Sequence, residues 1–286
     1  MKPSAVRQLL RDLDFRPRKT LGQNFLVDRN VRQAHLDAAG INGEDVVLEI
    51  GPGLGALTEG LISHAGAVIA VEKDPRLYDY LSRRLSGAGN LTLIHADMLD
   101  LDPGALRSGD GAAVTRVVAN LPYAAGSRIL VLLMQSPDPP VAMHVTVQLE
   151  VAERLCAEPD SESYGMLSCW AQRCYTVKRV RRISPGCFYP EPEVVSAIVA
   201  FTRHAEHHLS RESERIFYAL TKFAFGQRRK QLVSSLGRAA VQIRCDRKAL
   251  ETFLDARGLS PKARPEQLGA GHWCALATAI ADGQLR

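Results

Sequence analysis

The sequence predicts an α/β chain in which a doubly wound, mostly parallel sheet with one antiparallel edge is followed by a small all-helical domain. Three observations predict it. Short β-branched runs alternate with helically spaced segments from residue 45 to 150. A glycine-rich turn joins the first run to its helix. From about residue 205 onward the spacing is helical.

The elements follow in order. DVVLEI (45–50) and GAVIAVE (66–72) read as buried strands, each bounded by polar residues or glycine. ALTEGLISHA (56–65) lies between them with Leu57, Leu61 and Ile62 on one helical face. PRLYDYLSRRL (75–85) repeats that pattern, LTLIHAD (91–97) is a third strand and RVVAN (116–120) a fourth, placed beside the third. RILVLLM (128–134) reads as a helix and AMHVTVQLE (142–150) as a fifth strand. Strands alternating with helices imply parallel pairing through crossovers. YTVKRVRRIS (175–184) and VVSAIVAFT (194–202) have only the proline-rich PGCFYPEP (185–192) between them, which suggests an antiparallel edge. SERIFYALTKFAF, RRKQLVSSLGRAA (228–240) and RKALETFLDARG carry the helical C-terminal pattern. The expected domains are 1–203 and 204–286.

At 286 residues, 46% hydrophobic and 23% charged, the chain is long enough for a sizeable core. Its longest apolar stretch, ILVLLM, is too short for a bilayer, and no apolar signal core follows the N-terminus; a cytoplasmic location and no membrane partner are expected. None of the six cysteines forms a C-x-x-C pair and no histidine pair completes a zinc pattern, so they read as reduced thiols and no metal is expected. A monomer is expected. Residues 204–286 hold 14 Lys and Arg against 8 Asp and Glu, a balance of +6. Basic clusters also stand at 16–19 and 178–182. This distribution suits a polyanion such as nucleic acid, and equally a solvated surface.

LEIGPGLGALT places Gly51, Gly53 and Gly55 between a strand and a helix, where the backbone turns tightly and admits a ligand. The dinucleotide fingerprint wants G-x-G-x-x-G, and here the third glycine comes one residue early, with Pro52 stiffening the turn. A ligand without a phosphate is the better match. Glu72 ends the second strand 21 positions after Gly51, where a carboxylate accepts ribose hydroxyls. Asp97 can accept from an adenine amine or cap a turn, and Glu49 adds a third carboxylate to the crevice. An acidic crevice suits a cation, and S-adenosylmethionine is a nucleoside with a sulfonium and no phosphate.

Asn120, Leu121, Pro122 and Tyr123 follow the fourth strand directly. An isolated match would be a plain turn with a core tyrosine. After this glycine turn it fits methyl transfer to an aromatic amine. The lone pair of such a nitrogen is delocalised into the ring. Acceptors at its N–H bonds, the Asn120 side-chain oxygen and a backbone carbonyl of Leu121 or Pro122, push it toward tetrahedral geometry. Catalysis is then mainly positioning and electrostatics. Pro122 fixes the loop and Tyr123 offers a stacking face.

KTLGQNFLVD (19–28), EIGPGLGALT (49–58), VEKD (71–74), NLPY, YGMLS (164–168), FYPEPEVVSA (188–197) and FGQRRKQL (225–232) together resemble the bacterial small-subunit rRNA adenine dimethyltransferases of the KsgA type, over nearly the whole chain and in the same order. The resemblance implies a Rossmann-like class I methyltransferase sheet with a helical rRNA-binding domain. It implies S-adenosylmethionine as cosubstrate, and dimethylation of the 6-amino groups of two adjacent adenosines in the 3′-terminal hairpin loop of 16S rRNA during small-subunit biogenesis. It implies that Asn24 and Leu26 line the donor pocket with Gly51 and Gly53, that Glu72 holds the ribose and Asp97 reads the adenine, that Asn120 sits between donor and target, and that Phe188 stacks on the target base opposite Tyr123. Ala124, Ala125 and Gly126 depart from the residues that often follow the tetrapeptide. A 23S rRNA dimethyltransferase of the macrolide-resistance type shares the N-terminal motifs; FGQRRKQL and the Arg-rich tail favour the small-subunit type. The intact Glu72, Asp97 and tetrapeptide disfavour an inactive RNA-binding assembly factor. Glycine spacing disfavours an NAD-dependent oxidoreductase.

Overall fold

The computed structural model describes residues 3–17, 22–205, 208–239 and 243–285. Residues 18–21, which carry part of the basic run at 16–19 and of the motif at 19–28, lie outside them, as does residue 240 at the end of the helix expected over 228–240. The chain divides into two compact units, Met1–Ala152 with Val177–Arg203, and Glu153–Thr176 with His204–Arg286.

In the first unit the chain runs through α1 (Pro3–Asp12), β1 (Phe25–Leu26), α2 (Arg29–Ala39), β2 (Val46–Ile50), α3 (Thr58–His64), β3 (Ala67–Glu72), α4 (Pro75–Arg84), β4 (Leu91–His95), β5 (Arg116–Asn120), α5 (Gly126–Met134) and β6 (Ala142–Gln148). α6 (Leu149–Leu155) and α7 (Met166–Cys174) follow. β7 (Tyr175–Ile183), β8 (Phe188–Tyr189) and β9 (Ser196–Arg203) complete the strands. The main sheet has the order β4-β3-β2-β5-β6-β9-β7, with β9 antiparallel to β6. β2 is buried at every residue, as its mostly apolar run anticipates for a strand covered on both faces, with Glu49 its one charged member.

The fourth predicted strand does not lie beside the third. β5 pairs with β2 (Val47↔Arg116, Leu48↔Val117) and with β6, while β4 is an edge strand against β3. The chain winds outward from β2 to β4 and then returns to the open side of β2. The switch point, where open α/β sheets bind ligands, therefore falls between the carboxyl ends of β2 and β5. Two other boundaries differ. β4 stops at His95, because Asp97 caps the short turn Met98–Asp100. β6 stops at Gln148, where α6 begins. The proline-rich connection holds a two-residue strand, β8, paired antiparallel with β1 (Leu26↔Phe188).

The second unit adds α8 (Arg211–Phe225), α9 (Leu232–Leu236), α10 (Arg247–Asp255) and α11 (Ala270–Ala281). Glu153–Thr176 belongs to the second unit together with His204–Arg286. The reason is packing. Trp170 of α7 donates to Thr221 Oγ1 (2.8 Å), and buried Arg173 pairs with Glu214 (2.8 Å) against the rings of Phe217 and Tyr218. The helix expected over 228–240 is also corrected: α8 ends at Phe225, and Arg228, Arg229 and Lys230 lie in a turn. Arg228 Nη2 donates to the carbonyls of Ser161 (3.2 Å) and Glu162 (3.0 Å), and the Leu232 amide donates to Ala263 O (2.9 Å). Those bonds draw the chain off a helical path. Among the described residues all six cysteines are free thiols, and no helix is long and apolar enough to cross a membrane.

Candidate active site

The carboxyl ends of β2, β3 and β5 surround a cavity of about 450 Å³, a size suited to a small ligand. Asn24, Leu26, Gly51, Gly53, Glu72, Asp97, Asn120, Leu121, Pro122 and Tyr123 all line it.

The glycine turn leaves β2 with Gly51 and Gly53 at φ +68° and +60°, the left-handed region that side chains avoid. At Gly53 a Cβ would also stand 3.0 Å from the Phe25 ring. Glu72, the last residue of β3, is buried and holds the turn: Oε2 accepts from the Gly53 amide (3.0 Å) and Oε1 from the Asp74 amide (2.8 Å). Glu49 lies beside it, also buried, with Oε2 lacking a hydrogen-bond partner among the described residues. Burial pushes the Glu49 carboxyl up to about 8, and the neighbouring Glu72 carboxylate acts in the same direction. Burial likewise raises Glu72 above the usual carboxylate range.

Asp97 is both a cap and part of the wall. Its Oδ1 accepts from the Leu99 amide (3.0 Å) and its Oδ2 from Lys73 Nζ (2.6 Å). The Lys73 ammonium holds this carboxyl below the usual range.

On the opposite side, Asn120 Nδ2 donates to the Asn24 carbonyl (3.0 Å). That bond fixes the orientation of the amide, and Oδ1 is left buried without a partner among the described residues. The segment carrying Asn24 lies directly on the tetrapeptide. Gly22 sits at φ +65°, and a Cβ there would stand 2.7 Å from the Tyr123 amide nitrogen. Only glycine allows that approach. The Tyr123 hydroxyl is hydrogen-bonded to Ser196 Oγ at the start of β9, which sets the ring angle. Tyr123 also lines a second cavity of about 530 Å³ together with Gly22, Asn24, Ala124 and Gln148.

Phe188 is the exception. It lines neither cavity. Pairing with Leu26 in the β1–β8 ribbon places it in an apolar cluster with Val31, Leu36 and Ile183, at 3% exposure. Its stacking surface is thus already covered by protein. Sequence reasoning missed Gly22, Lys73 and Ser196. Gly22 and Ser196 stand inside quoted motifs, but their partners are distant in the chain. Lys73 follows Glu72 in VEKD and carried no signal of its own.

Solved structures share this architecture. A dimethyladenosine transferase from Plasmodium falciparum superposes with a TM-score of 0.75 at 22% identity, covering 91% of this chain and 98% of that one. The 23S rRNA methyltransferase ErmE gives 0.70 at 26% identity, over 90% and 99%. The class is that of the Rossmann-like methyltransferases, whose methyl donor is S-adenosylmethionine. The model of the ribosomal RNA adenine dimethylases matches residues 14–282, and the chain belongs to that family. Two relatives called ribosomal RNA small subunit methyltransferase A are similar throughout. The one from Geobacillus thermodenitrificans is 36% identical over 97% of this chain and 96% of its own, and the one from Pelotomaculum thermopropionicum is 38% identical over 98% and 97%.

Proposed function

We propose that this enzyme dimethylates the 6-amino groups of two adjacent adenosines in the 3′-terminal hairpin loop of 16S rRNA, in the cytoplasm, during small-subunit assembly. The observation that carries the chemistry is Asn120 Oδ1, a buried acceptor with no partner among the described residues. An amine N–H of the target would satisfy it. The small-subunit substrate is supported by the relatives named for it at 36% and 38% identity.

The residues present fit S-adenosylmethionine. Glu72 still has lone pairs for ribose hydroxyls, Asp97 stands where an adenine amine would arrive, and the turn at Gly51 and Gly53 presents backbone to the ligand. Asn24 and Leu26 close the wall. When bound, the donor supplies a methyl group made electrophilic by its sulfonium. Asn120 Oδ1 accepts one amine hydrogen and turns the nitrogen lone pair toward that methyl, with the Leu121 or Pro122 carbonyl as second acceptor. Tyr123, held by Ser196, offers its face to the base. Phe188 backs Leu26 and shapes the donor wall from behind. Residues 204–286, with their +6 balance, and the exposed strand residues Lys178, Arg179, Arg181 and Arg182 hold RNA phosphates.

The test is mass spectrometry of ribosomal RNA from a strain lacking the gene, with and without the restored chain. The reading requires dimethyladenosine to vanish from the 16S 3′ hairpin and to return with the wild-type chain. Dimethylation appearing in 23S rRNA instead would replace it with the ErmE-type reaction.

A further inference from the structure

We infer that Gln148 reads a ring nitrogen of the target adenine, and that this contact keeps the base in register through both methyl transfers. The inference rests on the proposed function. Gln148 lines the second cavity, and its side chain makes no hydrogen bond among the described residues. Its position follows from the strand registers. Asn120 stands opposite Thr146 in the β5–β6 pair, and Gln148 stands opposite Ser196 in the β6–β9 pair. Thr146 and Gln148 are two apart and share a face of the sheet, roughly 7 Å along the strand. Residues directly opposite across an antiparallel pair bring their Cβ atoms to about 5 Å. Gln148 therefore sits beside Ser196, whose hydroxyl holds Tyr123. Tyr123 lines both cavities, so its aromatic face stands between the amide acceptor of Asn120, on the wall of the first, and the carboxamide of Gln148, on the wall of the second.

The reaction makes the third element necessary. Each transfer forms an N–CH₃ bond as the donor's S–CH₃ bond breaks, and the nitrogen releases a proton to solvent. The amine offers two hydrogens before the first transfer, one before the second and none after it. A grip that used only amine hydrogens would weaken as the reaction proceeds. N1 and N7 flank the amine and are unchanged by methylation, so an N–H donor from Gln148 to one of them holds the base equally well for both transfers. The carboxamide supplies that donor.

The experiment uses small subunits assembled on 16S rRNA whose target adenosines are replaced by 1-deazaadenosine or by 7-deazaadenosine. Single-turnover methylation is measured for the wild type, Gln148→Ala and Gln148→Glu. On adenosine, both variants should be slowed about 5- to 150-fold, the range for losing one base-edge contact. S-adenosylmethionine affinity should be unchanged, which also reports that the variants fold. The wild type should show a matching loss on one of the two deaza substrates, and the variants should lose nothing further on it. Variants as fast as wild type, or equally sensitive to both deaza substitutions, would overturn the contact. A wild type that does not methylate adenosine in these particles removes the proposed function as well, so the two failures are separable.

Discussion

The two ends of β2 handle buried carboxylates in opposite ways. Just before its start, Asp45 is ion-paired with Arg116 Nε (2.8 Å), accepts from Thr115 Oγ1 (3.0 Å) on Oδ1 and from the Asn42 amide (3.1 Å) on Oδ2. At its other end Glu49 is more deeply buried, keeps an oxygen without a partner among the described residues and has a second carboxylate, Glu72, for a neighbour. A compensated charge locks a structure together. An uncompensated one costs stability, and a chain tolerates it where a ligand completes it. The same strand thus carries a clamp at one end and a waiting site at the other.

The largest effect expected on this contrast is from Asn120→Ala, which removes the other unpartnered acceptor of the waiting end. Single-turnover methylation should fall on the order of 10²- to 10³-fold, as for loss of one preorganised polar group. Donor affinity by calorimetry should change only a few-fold. Next is the clamp. Asp45→Ala leaves Arg116 half-buried without its partner, and the denaturant midpoint should report a loss of about 2–4 kcal/mol with donor affinity intact. An equal loss of donor affinity would erase the distinction between the two ends.

A third effect is pH dependence at Glu49. A bound cation favours the carboxylate, and the free group sits at about 8. Donor affinity should therefore rise by up to about tenfold per pH unit from pH 6 toward 8 and level off above it, with proton release seen in buffers of different ionisation heat. Glu49→Gln should flatten the profile. Stability runs the other way. With the folded value above the ordinary 4.5, the Glu49 contribution is fully present below pH 4.5 and is lost as pH rises through about 8. Buried His35 and His144, pushed from 6.5 down to about 4, behave oppositely: their contribution is present above pH 6.5 and is lost as pH falls toward 4. The smallest effect belongs to the exposed cations of the second unit. Replacing Arg229 and Lys230 with alanine should lower the slope of log RNA affinity against log salt by about 0.7–0.9 for each lost phosphate contact. Arg228→Ala, which breaks the bonds to Ser161 and Glu162, should lower thermal stability instead.

Much of the waiting end was legible because its chemistry dictates residue types at strand ends. The glycine turn, Glu72 at the close of β3 and the Asn120 tetrapeptide each announce themselves locally. Contacts that join distant segments did not. Nothing in RVVAN tells which strand it pairs with, so its partner, β2, was missed. Arg228 reads as helical until its partners Ser161 and Glu162 are seen. Phe188 reads as an aromatic free to stack, and only its pairing with Leu26 shows its face covered. Ser196 and Gln148 gain meaning from a register that no short window contains.

The bond from Asn120 Nδ2 to the Asn24 carbonyl has a consequence for the mixture of products. A side-chain amide without such a tether is a two-position rotor. In one position it turns its own hydrogens toward the incoming amine and repels it. With two hydrogens on the target nitrogen, a failed encounter is soon followed by a successful one. With a single hydrogen left after the first methyl, fewer orientations succeed. A chain whose segment around Asn24 is displaced should therefore still begin the reaction and fail to finish it, leaving monomethyladenosine where the intact enzyme leaves the dimethylated base.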